Sequence, residues 1–577
     1  MNRDHESGIS RRVFLGLTGA MGLTVAGATA GLAGCVSSEK EADAAASGVA
    51  GVSDADGKYS WEIPPAPITD FAETKTADIV VVGAGMAGCV AALTAAQEGA
   101  TVICVQKHGD VLSNGGGWAA WYSSASKAKG FNLNAEDMFN TWSIWAENRV
   151  NRSLYDMWLR ESGPAMDWMA DILEQYGIAV NAPGEQDLQA IADAPFQYKS
   201  YMVSHSFVNA ERFPQRANNL CTALKQEAEK NGVEFLFSTP AVQLVRGEDN
   251  ASGRVTAVIA ESSTGGYLKI NATKAVIMCA GDYANNMEMR AKWAPHLSDL
   301  PSPYAPPVNM GDGNLMALWI GGQMDRGPHC SNIHTDLYLN DTMFPYAGGT
   351  PWLSVNINGE RFSNEDVPYQ LVYAQDIDQP EHRHIQIYDS RYGEYWGTFP
   401  EGTFRGDAMT AAMVAQNGQG ILDNAGVDQS AMSDFDKCVE IGVAQKIIFR
   451  ADTLDELAAA INVSADALKK TVSRYNELCE LGKDEDFGKN PACLHPIVEA
   501  PFYGVPRQCM PLGVLNGIQI NTDMQIIDAD GNPIKGLYAA GNNSGGNFFA
   551  GMVQPMCVPT MTLGRALCTG RVAALRA

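Results

Sequence analysis

The stretch Gly83-Ala84-Gly85-Met86-Ala87-Gly88 restricts the fold more than any other part of the 577-residue chain. It directly follows Asp78-Ile79-Val80-Val81-Val82, whose β-branched content reads as a buried strand. A helix is expected from Met86 to about Glu98, then a second strand from Thr101 to Val105. Each glycine of a GxGxxG turn in this setting has a physical reason. The first turns the chain, the second lets backbone approach a pyrophosphate, and the third lets helix and strand pack closely. Met86 and Ala87 open the helix, whose free N–H groups and dipole favour negative charge. An acid usually ends the second strand and binds the adenosine ribose. Gln106-Lys107 stands there instead, and Gln can still hydrogen-bond a hydroxyl without the charge.

Other strands are expected at 233–237, at 254–259 and at 274–279, the last closing on a tight turn at Ala280-Gly281. Between about 326 and 505 the chain is richer in His, Pro and aromatics, with amphipathic helices at 453–461 and 465–480. Strand signals resume at 517–520 and at Leu537-Tyr538-Ala539-Ala540-Gly541. A last helix is expected from about Pro559, a good first-turn residue, to Arg576. The predicted division is a leader at 1–35, a flexible linker at 36–72, a first nucleotide-binding part at 73–325, a capping domain at 326–505 and a second nucleotide-binding part at 506–577.

The leader carries Ser10-Arg11-Arg12-Val13-Phe14-Leu15, a twin-arginine pattern, then an apolar Gly/Ala-rich stretch ending at Leu32-Ala33-Gly34-Cys35. This reads as a signal for export of a folded protein, with Cys35 as the lipidated first residue of the mature chain. The expected location is the outer side of the cytoplasmic membrane, held only by that lipid. A net charge of -25 argues against nucleic acid and against electrostatic binding to anionic lipid. The twelve cysteines show no CxxC or CxxCH, so no haem, iron–sulfur or zinc-ribbon site is read, and no metal is expected. Cys89, Cys104 and Cys279 lie in apolar runs and are read as small core residues.

Several motifs together resemble the fumarate reductase/succinate dehydrogenase flavoprotein superfamily, in the style of its soluble exported reductases and 3-ketosteroid dehydrogenases. They are the glycine turn at 83–88, Ser113-Asn114-Gly115-Gly116-Gly117, Gly311-Asp312-Gly313, Asn356 to Glu365 with its Arg361-Phe362-Ser363-Asn364-Glu365, and Gly541-Asn542 followed by Gly545-Gly546. The resemblance implies an α/β fold: a Rossmann-like FAD-binding domain interrupted by an α+β capping domain, with substrate held between them. It also implies FAD contacts from Ser113 to Gly117, at Ala280 and Gly281, and at Gly541 and Asn542. Members with covalent FAD carry a His near 113–114. This chain has Ser113-Asn114, so non-covalent FAD is expected.

In fumarate reductases, two His and an Arg hold a substrate carboxylate and a second Arg delivers a proton. By position, the first His corresponds to His334, while Tyr369 stands at the proton-donating Arg. The second His has no counterpart in Met510-Pro511-Leu512-Gly513, and Phe548-Phe549-Ala550-Gly551-Met552 lacks the clamping Arg. Charge-assisted hydrogen bonds contribute about 1.5–3 kcal/mol each, so a dicarboxylate would lose several kcal/mol. The expected pocket is apolar, with Phe548, Phe549 and Met552, and with Arg361 and Glu365 also counted among its residues. The expected substrate has an activated C=C bond: a steroid, phenylpropanoid or other enone or enoate. Tyr369 is the candidate acid and His334 the group that polarises the carbonyl. With no haem in the chain, electrons must come from a separate donor, such as a membrane cytochrome or quinol-oxidising module. A dehydrogenase running in the opposite direction, and a non-catalytic flavin-binding protein, remain alternatives.

Overall fold

The computed structural model describes residues 59–182, 200–209, 215–300, 308–335, 337–338, 342–343, 350–400 and 419–577. The expected leader and lipidation site lie outside the described residues. No helix among the described residues is long and apolar enough to cross a membrane.

One half of the fold, drawn from both ends of the chain, is organised by one eight-stranded sheet. Its parallel centre contains β1 (Glu73–Val82), β2 (Val102–Val105), β3 (Glu234–Leu236), β6 (Tyr267–Met278) and β14 (Pro533–Ala539), in the order β14-β6-β1-β2-β3. An antiparallel meander, β4 (Ala241–Arg246) and β5 (Val255–Glu261), hangs on β6. β13 (Gln525–Ile527) borders β14. Register decides where a ligand can sit. Val82 pairs with both Val105 and Met278, and Met278 pairs with Ala539. Four strands therefore end level, and the turns after them share one edge, the crevice in which open α/β sheets bind ligands.

Helix α1 (Met86–Gln97) is buried from Met86 to Ala95. That explains its lack of a polar stripe: it lies between the sheet, α3 (Ala217–Lys230) and the last helix, α8 (Met561–Arg576). Gly570 makes the contact between α8 and α1 possible, because a Cβ there would meet Ala87 O at 2.5 Å. Another helix, α2 (Arg152–Glu174), packs on the other side of α8.

The inserted half is built on an antiparallel sheet of β8 (Leu353–Val355), β9 (Arg383–Tyr388), β11 (Phe502–Gln508) and β10 (Phe449–Ala451). The expected amphipathic helices appear as α6 (Leu454–Ala460) and α7 (Ala465–Leu481), each opened by a side-chain cap, Thr453 and Ser464. They cover one face of the sheet with Leu457, Leu468, Val472 and Tyr475. The last cap strand, β11, runs to Gln508, past the expected boundary at 505. Beyond Cys509 the chain enters β12 (Met510–Val514), which pairs antiparallel with β7 (Ser331–His334). The chain thus leaves the nucleotide half along β7 and returns along β12.

Three expectations need correction. The linker does not extend to 72: Tyr59 stacks on Trp61, Trp61 meets Trp293 edge-on at 5.3 Å, and Trp319 Nε1 donates to Trp61 O at 2.9 Å. Aromatic docking orders this segment despite its linker-like composition. Residues 517–520 form no ladder, only single bridges from Ile518 and Ile520 to different neighbours. The last helix begins at Met561, after Thr560 in the left-handed region at φ 61°, so Pro559 lies before its first turn.

Candidate active site

At the level strand ends, the glycine turn is as tight as its pattern requires. Gly83 has φ 103°, and a Cβ there would lie 2.4 Å from Cys279 O. A Cβ on Gly88 would lie 1.8 Å from Gly83 O. Gly85 is the N-cap of α1 and offers no side-chain acceptor, so the first-turn N–H groups of Met86 and Ala87 suit an anionic ligand. Ser113 to Gly117 presses against the start of α8: a Cβ on Gly115 would meet Leu563, and one on Gly117 would meet Thr560. The start of α8 also lacks a side-chain cap. Ala280 N donates to Asn543 Oδ1 at 3.2 Å, and Gly281 takes φ 78°. Gly541 N donates to Thr569 Oγ1 at 3.0 Å, fixing Asn542 at the end of β14.

The structure brings these expected residues to one edge, with Gln106 buried beside them. Lys107 departs from expectation. Its ammonium pairs with Asp312 at 3.0 Å, an exposed pair that ties the second strand to the start of helix α4 (Asp312–Trp319). Two groups missed in the sequence stand out. Asp282, two per cent exposed, accepts from Ala284 N at 2.8 Å, Asn309 Nδ2 at 3.1 Å and Asn542 Nδ2 at 3.3 Å. Burial pushes its carboxyl up to about 6 despite those bonds. Arg565 of α8, one per cent exposed, donates to Asn542 Oδ1 at 2.9 Å and Leu515 O at 2.9 Å.

His334 ends β7 and Tyr369 opens helix α5 (Tyr369–Ile377), one residue after Pro368. Their rings meet edge-on with centroids 6.0 Å apart, and Tyr373 backs both, at 5.8 and 5.3 Å. Gln370 fixes this geometry. Its buried amide accepts from Ile333 N at 3.0 Å and donates to Ile333 O at 2.7 Å and Asn332 Oδ1 at 2.9 Å. The side chain thus binds β7 as a strand neighbour would and locks α5 to it. Sequence reasoning gave no hint of this clamp, which joins residues 37 positions apart.

The other expected pocket residues are placed differently. Phe548 and Phe549 are core residues, packed on Trp142 at 6.0 and 5.4 Å, and Phe549 lies under the Arg565 guanidinium at 4.7 Å. Met552 is 38 % exposed, while its carbonyl accepts from Ser331 N and Ser331 Oγ at the base of β7. Arg361 and Glu365 do not face a pocket. They close a buried ionic cluster inside the cap, with Arg361 on Glu365 and Asp484 at 2.8 Å each, and Lys489 on Glu365 at 3.3 Å. Burial works against the Glu365 charge, yet Lys489 and Arg361 hold it below the usual carboxylate range. Burial opposes the Asp484 charge too, but bonds from Arg361 and the Lys489 N–H hold it at about 2. His329 and His384 are fully buried. His384 Nδ1 pairs with Asp376 Oδ2 at 2.8 Å, and His329 Nδ1 with Tyr283 OH at 2.6 Å. Cys89, Cys104 and Cys279 are buried, as expected.

Level strand ends, a glycine cradle for a pyrophosphate and a second uncapped helix start on the same crevice suit a dinucleotide, and together with the likeness to known proteins they make the chain an FAD-dependent oxidoreductase acting on CH–CH bonds. The FAD-binding-domain family profile matches residues 78–554. The chain belongs to that family, and within it to the fumarate reductase/succinate dehydrogenase flavoprotein superfamily. It is 28% identical over 508 residues to vinyl phenol reductase of Lactiplantibacillus plantarum, covering 86% of this chain and 94% of that one. It is likewise 28% identical over 573 residues to digoxin reductase of Eggerthella lenta, covering 94% and 93%. Among solved structures, the open form of a flavocytochrome c3 fumarate reductase matches with a TM-score of 0.62 at 22% identity, over 88% of this chain and 78% of that one.

Proposed function

We propose that the chain reduces an activated C=C bond in an apolar or aromatic enone or enoate rather than in fumarate, outside the cytoplasm and tethered by a lipidated Cys35. Bound FAD supplies the hydride. The chain's own residues then have two tasks. Tyr369, whose phenol ordinarily titrates near 10, donates a proton to the α-carbon. His334, held edge-on to it, donates a hydrogen bond to the carbonyl that takes up negative charge. The single observation that carries this reading is the Gln370 clamp, which fixes a phenol and an imidazole side by side where α5 of the cap is bonded to the joining strand β7. The relatives support the reaction class, since their names include reductases of vinyl phenols, digoxin, urocanate and fumarate. Electrons reach the FAD from a separate carrier, a membrane cytochrome or quinol-oxidising module.

The reverse reaction is the second reading. It draws support from the Asn364-Glu365…Pro368-Tyr369 arrangement, which resembles ketosteroid dehydrogenases, and from 25% identity to a 4-oxocyclohex-2-ene-1-carboxylate 5-dehydrogenase. One experiment separates the readings. The FAD-loaded protein, reduced with a viologen dye, is offered cinnamates, vinyl phenols, urocanate, steroid enones and fumarate. Oxidation of the dye by an aromatic or steroid acceptor, and a loss of about 10²-fold or more in Tyr369→Phe with FAD retained, is the expected result. Brisk turnover of fumarate, or an unchanged Tyr369→Phe, overturns the proposal.

A further inference from the structure

Asn542 sits at the end of β14 between two buried groups of opposite charge. Arg565 Nη2 donates to its Oδ1 at 2.9 Å, and its Nδ2 donates to Asp282 Oδ2 at 3.3 Å. The amide can therefore not flip: the carbonyl faces the cation and the amine faces the anion. Asp282 ends the turn after β6 and Asn542 the turn after β14, neighbouring strands whose level ends form the cofactor edge. Arg565 lies in the second turn of α8, whose uncapped start presses on Gly115 and Gly117.

Arg565 is an unusual buried cation. No carboxylate among the described residues pairs with it. Its acceptors are the neutral Leu515 O at 2.9 Å, Ser544 O at 3.5 Å and Asn542 Oδ1, and its Nε has no partner. The buried carboxylates of Asp325 and Asp282 favour its charge from a distance, without an ion pair, and only partly offset the cost of burying a guanidinium. Burial lowers its affinity for a proton only to about 10, so it stays charged at neutral pH. The loop from Gly545 to Met552 contains no arginine, and Arg565 brings a positive charge over Phe549 of that loop from a different element.

We infer that Arg565 and Asp282, opposed across Asn542, set the reduction potential of the bound FAD: Arg565 favours the negative charge the cofactor gains on reduction, and Asp282 opposes it. This rests on FAD binding alone and is independent of which double bond is reduced. Both act as positioning and field-setting residues rather than as groups that touch substrate.

The test is an equilibrium titration of the FAD-loaded protein against a reference dye, with electrons from a reduced viologen and no substrate present. Arg565→Met should disfavour the reduced cofactor at least about tenfold, which for two electrons lowers the potential by about 30 mV. Asp282→Asn should shift it by a similar factor in the opposite direction. Arg565→Lys, which keeps the charge, should stay within about threefold of the parent. Shifts of the same sign in Arg565→Met and Asp282→Asn, or no shift beyond threefold in either, overturn the inference, because loosened packing alone would not give opposite signs. If Arg565→Met does not fold, Asp282→Asn decides: an unchanged or lowered potential is fatal to the idea.

Discussion

Gly88→Ala puts one methyl group where the first helix crosses the first strand. The new Cβ would lie 1.8 Å from Gly83 O, 2.8 Å from Gly83 C and 3.4 Å from Cys279 Cβ. An ordinary contact needs about 3.4 Å, so helix and turn must separate by roughly 1.6 Å. Neither can yield easily. Gly83 N is bonded to Val105 O at 2.8 Å, Cys279 N to Val82 O at 2.7 Å, and α1 is wedged by α8 through Gly570. Overpacking a core by one methylene typically costs about 1–3 kcal/mol, and a backbone–backbone clash lies at or above the upper end. The same displacement carries the free N–H groups of Met86 and Ala87 away from a pyrophosphate. We therefore expect Gly88→Ala to lose about 3 kcal/mol of stability and nearly all its FAD. Gly397→Ala is the control: it has open space within 4 Å and no positive φ, and should be neutral. Flavin absorbance per purified chain and thermal unfolding read both effects. A Gly88→Ala protein that is fully yellow and melts with the parent would refute the claimed closeness of helix and strand.

Gln370→Leu should leave FAD content unchanged but strand the Ile333 N–H and C=O in the core, costing about 2–4 kcal/mol and lowering turnover as Tyr369 drifts from His334; parental turnover with parental stability would dismiss the clamp. In the cap, Asp484 is held at about 2 when folded, below its ordinary value near 3.8, so its contribution to stability is present above about pH 4 and is lost as pH falls toward 2. Asp484→Asn should flatten the unfolding midpoint against pH in that window and lower it at neutral pH; an unaltered profile would exclude the ionic cluster as its source.

Some of this was legible in the sequence because it is local. The glycines at 83, 85 and 88 specify contacts within one turn, and β-branched runs identify the parallel strands that carry the cofactor edge. Motif position singled out His334 and Tyr369 one by one, and the structure sets their rings edge-on to each other. What stayed hidden depends on direction and distance. The Arg361 and Glu365 motif says nothing of which way the side chains point, and Asp484 and Lys489, more than a hundred residues on, draw them inward. Arg565 was missed because an arginine was sought in the loop at 545–552, whereas the fold delivers the cation from the following helix. Tyr59 and Trp61 look like linker residues until Trp293 and Trp319 supply partners.

The outgoing and returning passages of the chain between its halves lie side by side, as β7 and β12, bonded from Ser331–Val514 to His334–Met510. Such a seam behaves like a door with a single hinge. Any swing of the cap about it would carry the imidazole and the phenol together, since one ends the hinge strand and the other is bolted to it through Gln370. Opening the door would then change how far the pair stands from the nucleotide floor without altering the spacing between its two members.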